Sequence, residues 1–240
     1  MTARFLLVTI RPELDAARDE YDSMLAATGL PASALSQHLL AADPLGNALD
    51  AVAGVIVGGS PFSVTDAAKT SAQRRAEADL RTIAAASVDD GLPVLFTCYG
   101  IGVVAEAYGG SVGREFGEPT SAVPVTLTAD GVADPLLGSL PPAFDALVAH
   151  KEAVNTLPTG AVLLASSPAC PVQAFRLGDS LHAVQFHPEV TAADLAARAR
   201  IYQHHGYFDA HELHIVQARL AATSVSVPRL LLKAFVERYA

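Results

Sequence analysis

Through Tyr108, apolar positions along the chain follow two alternating rhythms. Phe5–Ile10, Gly54–Val57 and Val94–Phe96 are largely unbroken apolar runs, the pattern of parallel strands buried on both faces. Between them, Leu14–Ala27 sets Leu14, Arg18, Tyr21 and Leu25 at three- and four-residue steps. Thr65–Ser87 does the same with Ala68, Ala72, Ala76, Leu80 and Ile83. Those steps predict helices. Strand and helix in alternation predict an α/β domain on a parallel sheet.

The second half changes rhythm. Val123–Thr128, Phe144–Val148, Ala161–Ala165, Val172–Leu177 and Leu181–Phe186 are strand-like, and turns such as Leu177-Gly178-Asp179 separate them. Their closeness along the chain predicts antiparallel pairs that extend the sheet. Helical spacing returns over Ala192–His204, Glu212–Ala221 and Arg229–Tyr239. The expectation is one domain over residues 1–240, with 191–240 as a helical C-terminal extension.

Composition narrows the function classes. The 240 residues are 51% hydrophobic and 17% charged, which excludes a disordered tail or a coiled-coil rod and leaves material for a large core. Sixteen Lys and Arg against 25 Asp and Glu give a net charge of −9. Such a chain has no general attraction for a phosphate backbone, and its scattered cations form no membrane-binding run. Neither nucleic acid nor a membrane is expected as a partner. The apolar run Phe5–Ile10 is too short for a signal segment, and the two cysteines, Cys98 and Cys170, make no disulfide framework. A cytoplasmic location is expected.

Three segments carry candidate chemistry. In Val94-Leu95-Phe96-Thr97-Cys98-Tyr99-Gly100-Ile101-Gly102 a buried strand runs into a cysteine and then a helix-like segment. A nucleophile at such a turn projects above the sheet, and the helix N-terminus beside it favours a thiolate. Alone, Cys98 reads more readily as a small buried hydrophobe. In Gln185-Phe186-His187-Pro188-Glu189 the histidine and glutamate sit two apart at a strand end. Extended backbone puts them on one face, so the carboxylate can hold one ring nitrogen while the other meets a thiol. In Gly54-Val55-Ile56-Val57-Gly58-Gly59-Ser60-Pro61 a strand ends in two glycines that let backbone amides approach a ligand. That suits one wall of an oxyanion hole, with the Tyr99 amide as the other.

Together, in this order and spacing, the three segments resemble the class I, triad-type glutamine amidotransferases, in particular free-standing proteins like the amidotransferase part of GMP synthase. Asp134-Pro135-Leu136-Leu137 and His150 are smaller echoes. The resemblance implies a three-layer α/β fold, a mostly parallel central sheet with flanking helices and an antiparallel extension. It also implies that Cys98 attacks the glutamine side-chain amide, His187 serves as base and then acid, and Glu189 orients it. Gly58, Gly59 and Tyr99 would line the oxyanion hole, and the loop at His150 would lie near the substrate. No metal or cofactor is implied. The chain carries no P-loop pattern, so an ammonia acceptor would need a separate synthetase partner. One departure is Gly102, where many members carry a glutamine that contacts the substrate. Space left there keeps a bulkier γ-glutamyl compound open as substrate, beside glutamine itself. The competing readings are a stand-alone γ-glutamyl hydrolase and a non-catalytic binding subunit with the same fold.

Other residues read as structural. His204, His205, His211 and His214 lie close together without a cysteine, and a solvated edge accounts for them better than a zinc site. Cys170 has no base nearby in sequence. Tyr202, Tyr207 and Phe208 read as residues that pack the C-terminal part onto the domain.

Overall fold

The computed structural model describes residues 4–240; Met1–Ala3, the lead-in to the first strand, lie outside them. The first half runs β1 (Phe5–Thr9), α1 (Leu14–Thr28), β2 (Leu35–Leu39), β3 (Gly54–Val57), α2 (Ser71–Asp90), β4 (Val94–Thr97) and α3 (Tyr99–Ala107). Next come β5 (Ser111–Gly113), β6 (Glu118–Leu127), α4 (Ala129–Ala133), β7 (Ala143–His150) and β8 (Ala153–Thr156). The chain ends with β9 (Val162–Ser166), β10 (Ala174–Leu177), β11 (Leu181–Val184), α5 (Ala192–Ile201), α6 (Leu213–Ala221) and α7 (Arg229–Tyr239). Nine strands form one sheet in the order β2-β1-β3-β4-β11-β10-β9-β6-β7, and β5 pairs with β8 in a separate ribbon. The β2-β1-β3-β4-β11 part is parallel and the remainder antiparallel. This is the expected architecture.

Burial explains why the unbroken apolar runs are informative. Every residue of β1, β3, β4 and β11 is buried, and alternate side chains feed two different cores. Leu6, Val8, Val55, Val57, Val94 and Phe96 pack with Leu80 and Ile83 of α2 and with Val103 and Val104 of α3. Phe5, Leu7, Ile56 and Leu95 pack on the opposite face with Met24 of α1 and with Leu231, Leu232 and Phe235 of α7. Each such side chain contributes roughly 1.5–3 kcal/mol by leaving water. Among the described residues, no helix is long and apolar enough to cross a membrane.

Boundaries move where polar contacts outrank periodicity. The helix expected from Thr65 begins at Ser71, because the Thr70 hydroxyl caps it by accepting from the Gln73 amide. Residues 64 and 65 are instead tied to Glu152, whose carboxylate accepts from the Val64 amide and from the amide and hydroxyl of Thr65. The helix expected to reach His204 stops at Ile201. Strand β2, Leu-Ser-Gln-His-Leu, lacks the apolar run of its neighbours because it is the half-exposed edge of the sheet.

Candidate active site

Three adjacent parallel strands, β3, β4 and β11, end at the same edge of the sheet. Their registers match Val57 with Phe96 and Thr97 with Val184. The residues just past those ends are Gly58-Gly59, Cys98 and Gln185–Glu189, so three segments distant in sequence meet at the carboxyl edge, where open α/β sheets bind ligands. Cys98 sits between β4 and α3 with φ 49° and ψ −101°. A left-handed non-glycine residue costs about 1–3 kcal/mol and persists only where its surroundings over-determine it. Here the Cys98 amide donates to Val184 O at 2.8 Å, and the Thr97 hydroxyl donates to Val57 O at 2.9 Å. Gly100 completes the elbow, since a Cβ there would lie 2.7 Å from Phe96 Cδ1.

His187 is fixed at two points. Its amide donates to Leu147 O at 2.9 Å, and its Nδ1 lies 3.0 Å from Glu189 Oε1. Cys98 lies beside it: both border one cavity, and a Cβ on Gly59 would sit 2.9 Å from His187 Cε1 and 3.5 Å from Cys98 Cβ. A carboxylate only accepts, so Nδ1 carries the proton and the second ring nitrogen is left for the thiol. Burial opposes charge on His187, but Glu189 and then Cys98 outweigh it and raise its pKa to about 9. Burial likewise opposes charge on Glu189, yet His187 and then Arg198 hold its carboxyl well below the usual range. Thiol, imidazole and carboxylate in this order can move a proton from sulfur to a leaving group.

The two glycines are needed for room as well as for amide access. A Cβ on Gly59 would lie 2.9 Å from His187 Cε1 and 3.0 Å from Arg11 Nη2. One on Gly58 would strike the Glu20 carboxylate. Tyr99 is the first residue of α3, so its amide has no acceptor within the helix. Its hydroxyl points away and donates to Glu77 Oε1 at 2.9 Å. Only its amide is therefore free to face Cys98.

Cavities open on both sides of Cys98. One, about 20 Å³, is bounded by Ser60, Phe62, Tyr99, Gly102, Val112 and His150; the other, about 30 Å³, by Arg11, His187, Arg198, Tyr202, Tyr207 and Phe208. Tyr207 borders both, with its hydroxyl donating to Ser60 O at 3.2 Å and Lys151 Nζ 4.9 Å from its ring centre. Gly102 borders the first cavity but is crowded on one side: a Cβ there would meet Val64 Cγ2 at 3.2 Å and Val112 Cγ2 at 3.5 Å. His150 borders the first cavity, but both its ring nitrogens are engaged, Nδ1 with Glu152 O and Nε2 with Glu118 Oε2, each at 2.9 Å.

A match to the class-I glutamine amidotransferase family spans residues 28–198. The chain belongs to this family. Over 152 residues it is 40% identical to a GMP synthase (glutamine-hydrolyzing) of Aeropyrum pernix, a stretch covering 62% of this chain and 26% of that protein. Over 110 residues it is 36% identical to a protein of Methanoculleus marisnigri named as one subunit of a glutamine-hydrolyzing GMP synthase, covering 45% of this chain and 58% of that one. The matched segment is therefore about a quarter of the full-length synthases. A crystal structure of a glutamine amidotransferase from Thermotoga maritima shares the fold, with a TM-score of 0.76 at 17% identity, covering 100% of this chain and 99% of that one.

Sequence reasoning missed several residues around the elbow. Arg11, Glu20 and Arg198 are buried charges from β1's end, α1 and α5, and Glu152 clamps the turn at Val64. No local pattern marks them: Arg11–Glu20 and Arg198–Glu189 each join a strand-end loop to a helix nine residues on, and Glu152 reaches Val64 across 88 positions. Cys170 is less isolated than expected: its sulfur, a Glu118 oxygen and a His150 ring nitrogen lie within 4.8 Å of one another. The cluster reads as a hydrogen-bond network. Glu118 is taken up by His150, Ser167 and Gln173, and the Cys170 thiol donates to Val172 O at 3.4 Å. Burial pushes that thiol up to about 12, away from the thiolate a metal would need. The four C-terminal histidines are exposed.

Proposed function

We propose that the chain hydrolyses the side-chain amide of glutamine and hands the ammonia to a separate acceptor-activating partner. The observation that carries this reading is the Cys98 thiol on its strained elbow, bordering one cavity with an imidazole whose Nδ1 faces a buried carboxylate. Cys98 sulfur attacks the amide carbon while His187 takes the thiol proton. The C–N bond then breaks as His187 returns that proton to the leaving nitrogen, giving ammonia and a γ-glutamyl thioester. Water next gives a proton to His187 and attacks the thioester; the sulfur leaves and regains the proton as glutamate departs. The Gly59 and Tyr99 amides serve the oxyanion in both steps, a role in which one lost donor costs about 100- to 1,000-fold. Glu189 holds the imidazole in the tautomer these transfers need.

The Methanoculleus relative is named as one subunit of its synthase, which fits an acceptor site on another chain. Two free cysteines, one of them the nucleophile, fit a reducing cytoplasm. Glutamine is favoured over bulkier γ-glutamyl compounds because Val64 and Val112 crowd the cavity wall at Gly102. The test is glutamate release from glutamine and from a panel of γ-glutamyl amides and peptides, with and without cell extract. Ammonia-yielding turnover of glutamine supports the reading. A far higher kcat/KM for a γ-glutamyl peptide would assign the chain to the hydrolase class instead.

A further inference from the structure

The oxygen of Glu189 that faces His187 is shared. Arg198 Nη1 donates to Oε1 at 2.8 Å, the same atom that His187 Nδ1 approaches to 3.0 Å. Arg198 is 4% exposed and Glu189 fully buried. The pair meets through one oxygen, leaving Glu189 Oε2 and the Nε and Nη2 of Arg198 without hydrogen-bond partners. An arginine fork that grips a carboxylate fixes its plane as well as its charge.

We propose that Arg198 is a positioning residue of this centre, holding the Glu189 carboxylate against His187 and limiting how strongly that carboxylate attracts the imidazolium. The proposal rests on the reading of Cys98, His187 and Glu189 given above. The neighbouring charges are otherwise balanced. Arg11 pairs with Glu20 at 2.8 Å, and the Tyr202 hydroxyl accepts from Arg11 at 3.3 Å and donates to Glu13 at 3.0 Å. Cys98 approaches from the elbow, and Tyr207 borders the same cavity. With Arg11 and Glu20 matched, Arg198 is the cation bonded to Glu189. Without it, the whole field of a buried carboxylate falls on His187. The imidazolium then persists to higher pH, and the carboxylate is free to turn away.

The experiment compares wild type, R198K and R198M by glutamine turnover and by iodoacetamide alkylation of Cys98, both across pH. For R198M, kcat should fall by about tenfold or more with KM changed by less than about threefold. Its pH profiles in both assays should move alkaline by roughly half a unit or more. R198K, which keeps the charge, should restore the wild-type profile and most of kcat. Should R198M fail to fold, R198Q carries the same test with an uncharged donor. Profiles that stay in place, however low the turnover, would reduce Arg198 to a packing residue and overturn the proposal. Alkylation needs no substrate. A wild type that alkylates normally but releases no glutamate sinks the glutaminase reading and leaves the Arg198 test standing.

Discussion

Two histidines lie one within β11 and one just past it, and each sits in a buried group with a carboxylate and an arginine. Past the strand's C-terminal end, His187 pairs with Glu189, which also accepts from Arg198. Within the strand, His182 Nε2 lies 3.2 Å from Asp134 Oδ1, and Arg176 Nε donates to Asp134 Oδ2 at 3.0 Å. The difference lies in what else each carboxylate and each ring touches. Asp134 accepts from the Leu136 and Leu137 amides, both at 2.9 Å, so it caps a turn. The second nitrogen of His182 is buried and has no partner. His187 instead borders a cavity together with the Cys98 thiol, which lines two. Residue types therefore do not define the site. A place beyond the carboxyl ends of parallel strands, next to the elbow, does.

The comparison breaks most visibly at the cysteines. Cys98→Ala should remove turnover by about four orders of magnitude or more, since no other group can form the thioester. Iodoacetamide should label Cys98 rapidly and Cys170 slowly, because burial and Glu118 keep the Cys170 thiol protonated up to about pH 12. Peptide mapping reads both outcomes. Rapid labelling of Cys170 would overturn the assignment of Cys98 as the distinctive thiol.

Next in size are the two members of the His187 group. His187→Ala should cost about a thousandfold or more in kcat, nearly as much as the cysteine change, because nucleophile and base act as one unit. Glu189→Gln keeps the shape and one hydrogen bond, so its loss should be milder, about ten- to a hundredfold. A fully active Glu189 variant would hand the orienting role to another carboxylate.

The Asp134 group should respond the other way round. Asp134→Asn should leave kcat within about twofold while lowering stability by roughly 2–3 kcal/mol, since it removes one side of a buried pair whose Arg176 partner is partly solvent-screened. Burial opposes the charge, but His182 and then the Leu137 and Leu136 amides draw the Asp134 pKa down to about 2. Its folded pKa lies below the unfolded value of about 4. This stabilisation is therefore complete above about pH 4 and disappears as pH falls through about 2. Thermal melts from pH 5 to pH 2 should show a steep acid loss in wild type that the Asn variant lacks. An unaltered acid limb would remove Asp134 from its structural role.

Legibility in the sequence follows the same division. Strands β1, β3 and β4 are readable because burial on both faces leaves no room for polar residues. The elbow and the His-Pro-Glu segment are readable because each functional group sits beside a strand end that composition marks. The contacts of Arg11 with Tyr202 and of Glu152 with Val64 are not. Arg11 and Tyr202 meet across 191 positions, and Glu152 reaches Val64 across 88. Tertiary pairings of that kind leave no periodic trace. The β2 edge escapes for the opposite reason, since half-exposed positions accept polar residues and blur the apolar signal.

Gly102 carries the smallest expected effect and the sharpest revision. Read from the sequence, Gly102→Gln restores a substrate contact or blocks a larger substrate. The structure adds a third consequence, because the new Cβ would press on Val64 at 3.2 Å. Val64 cannot easily retreat, since its amide is held by Glu152. Overpacking of this kind costs about 1–3 kcal/mol. The single variant should therefore lose stability, and its kcat/KM for glutamine should fall about two- to tenfold, mostly through KM. Val64→Ala makes room at the crowded contact. The Val64→Ala, Gly102→Gln double variant should recover stability beyond the sum of the two single changes, with a coupling of about 1 kcal/mol. Its glutamine KM then reports whether the added amide contacts the substrate. Strict additivity in the cycle would show that Val64 yields without strain and that the glycine is not required for packing.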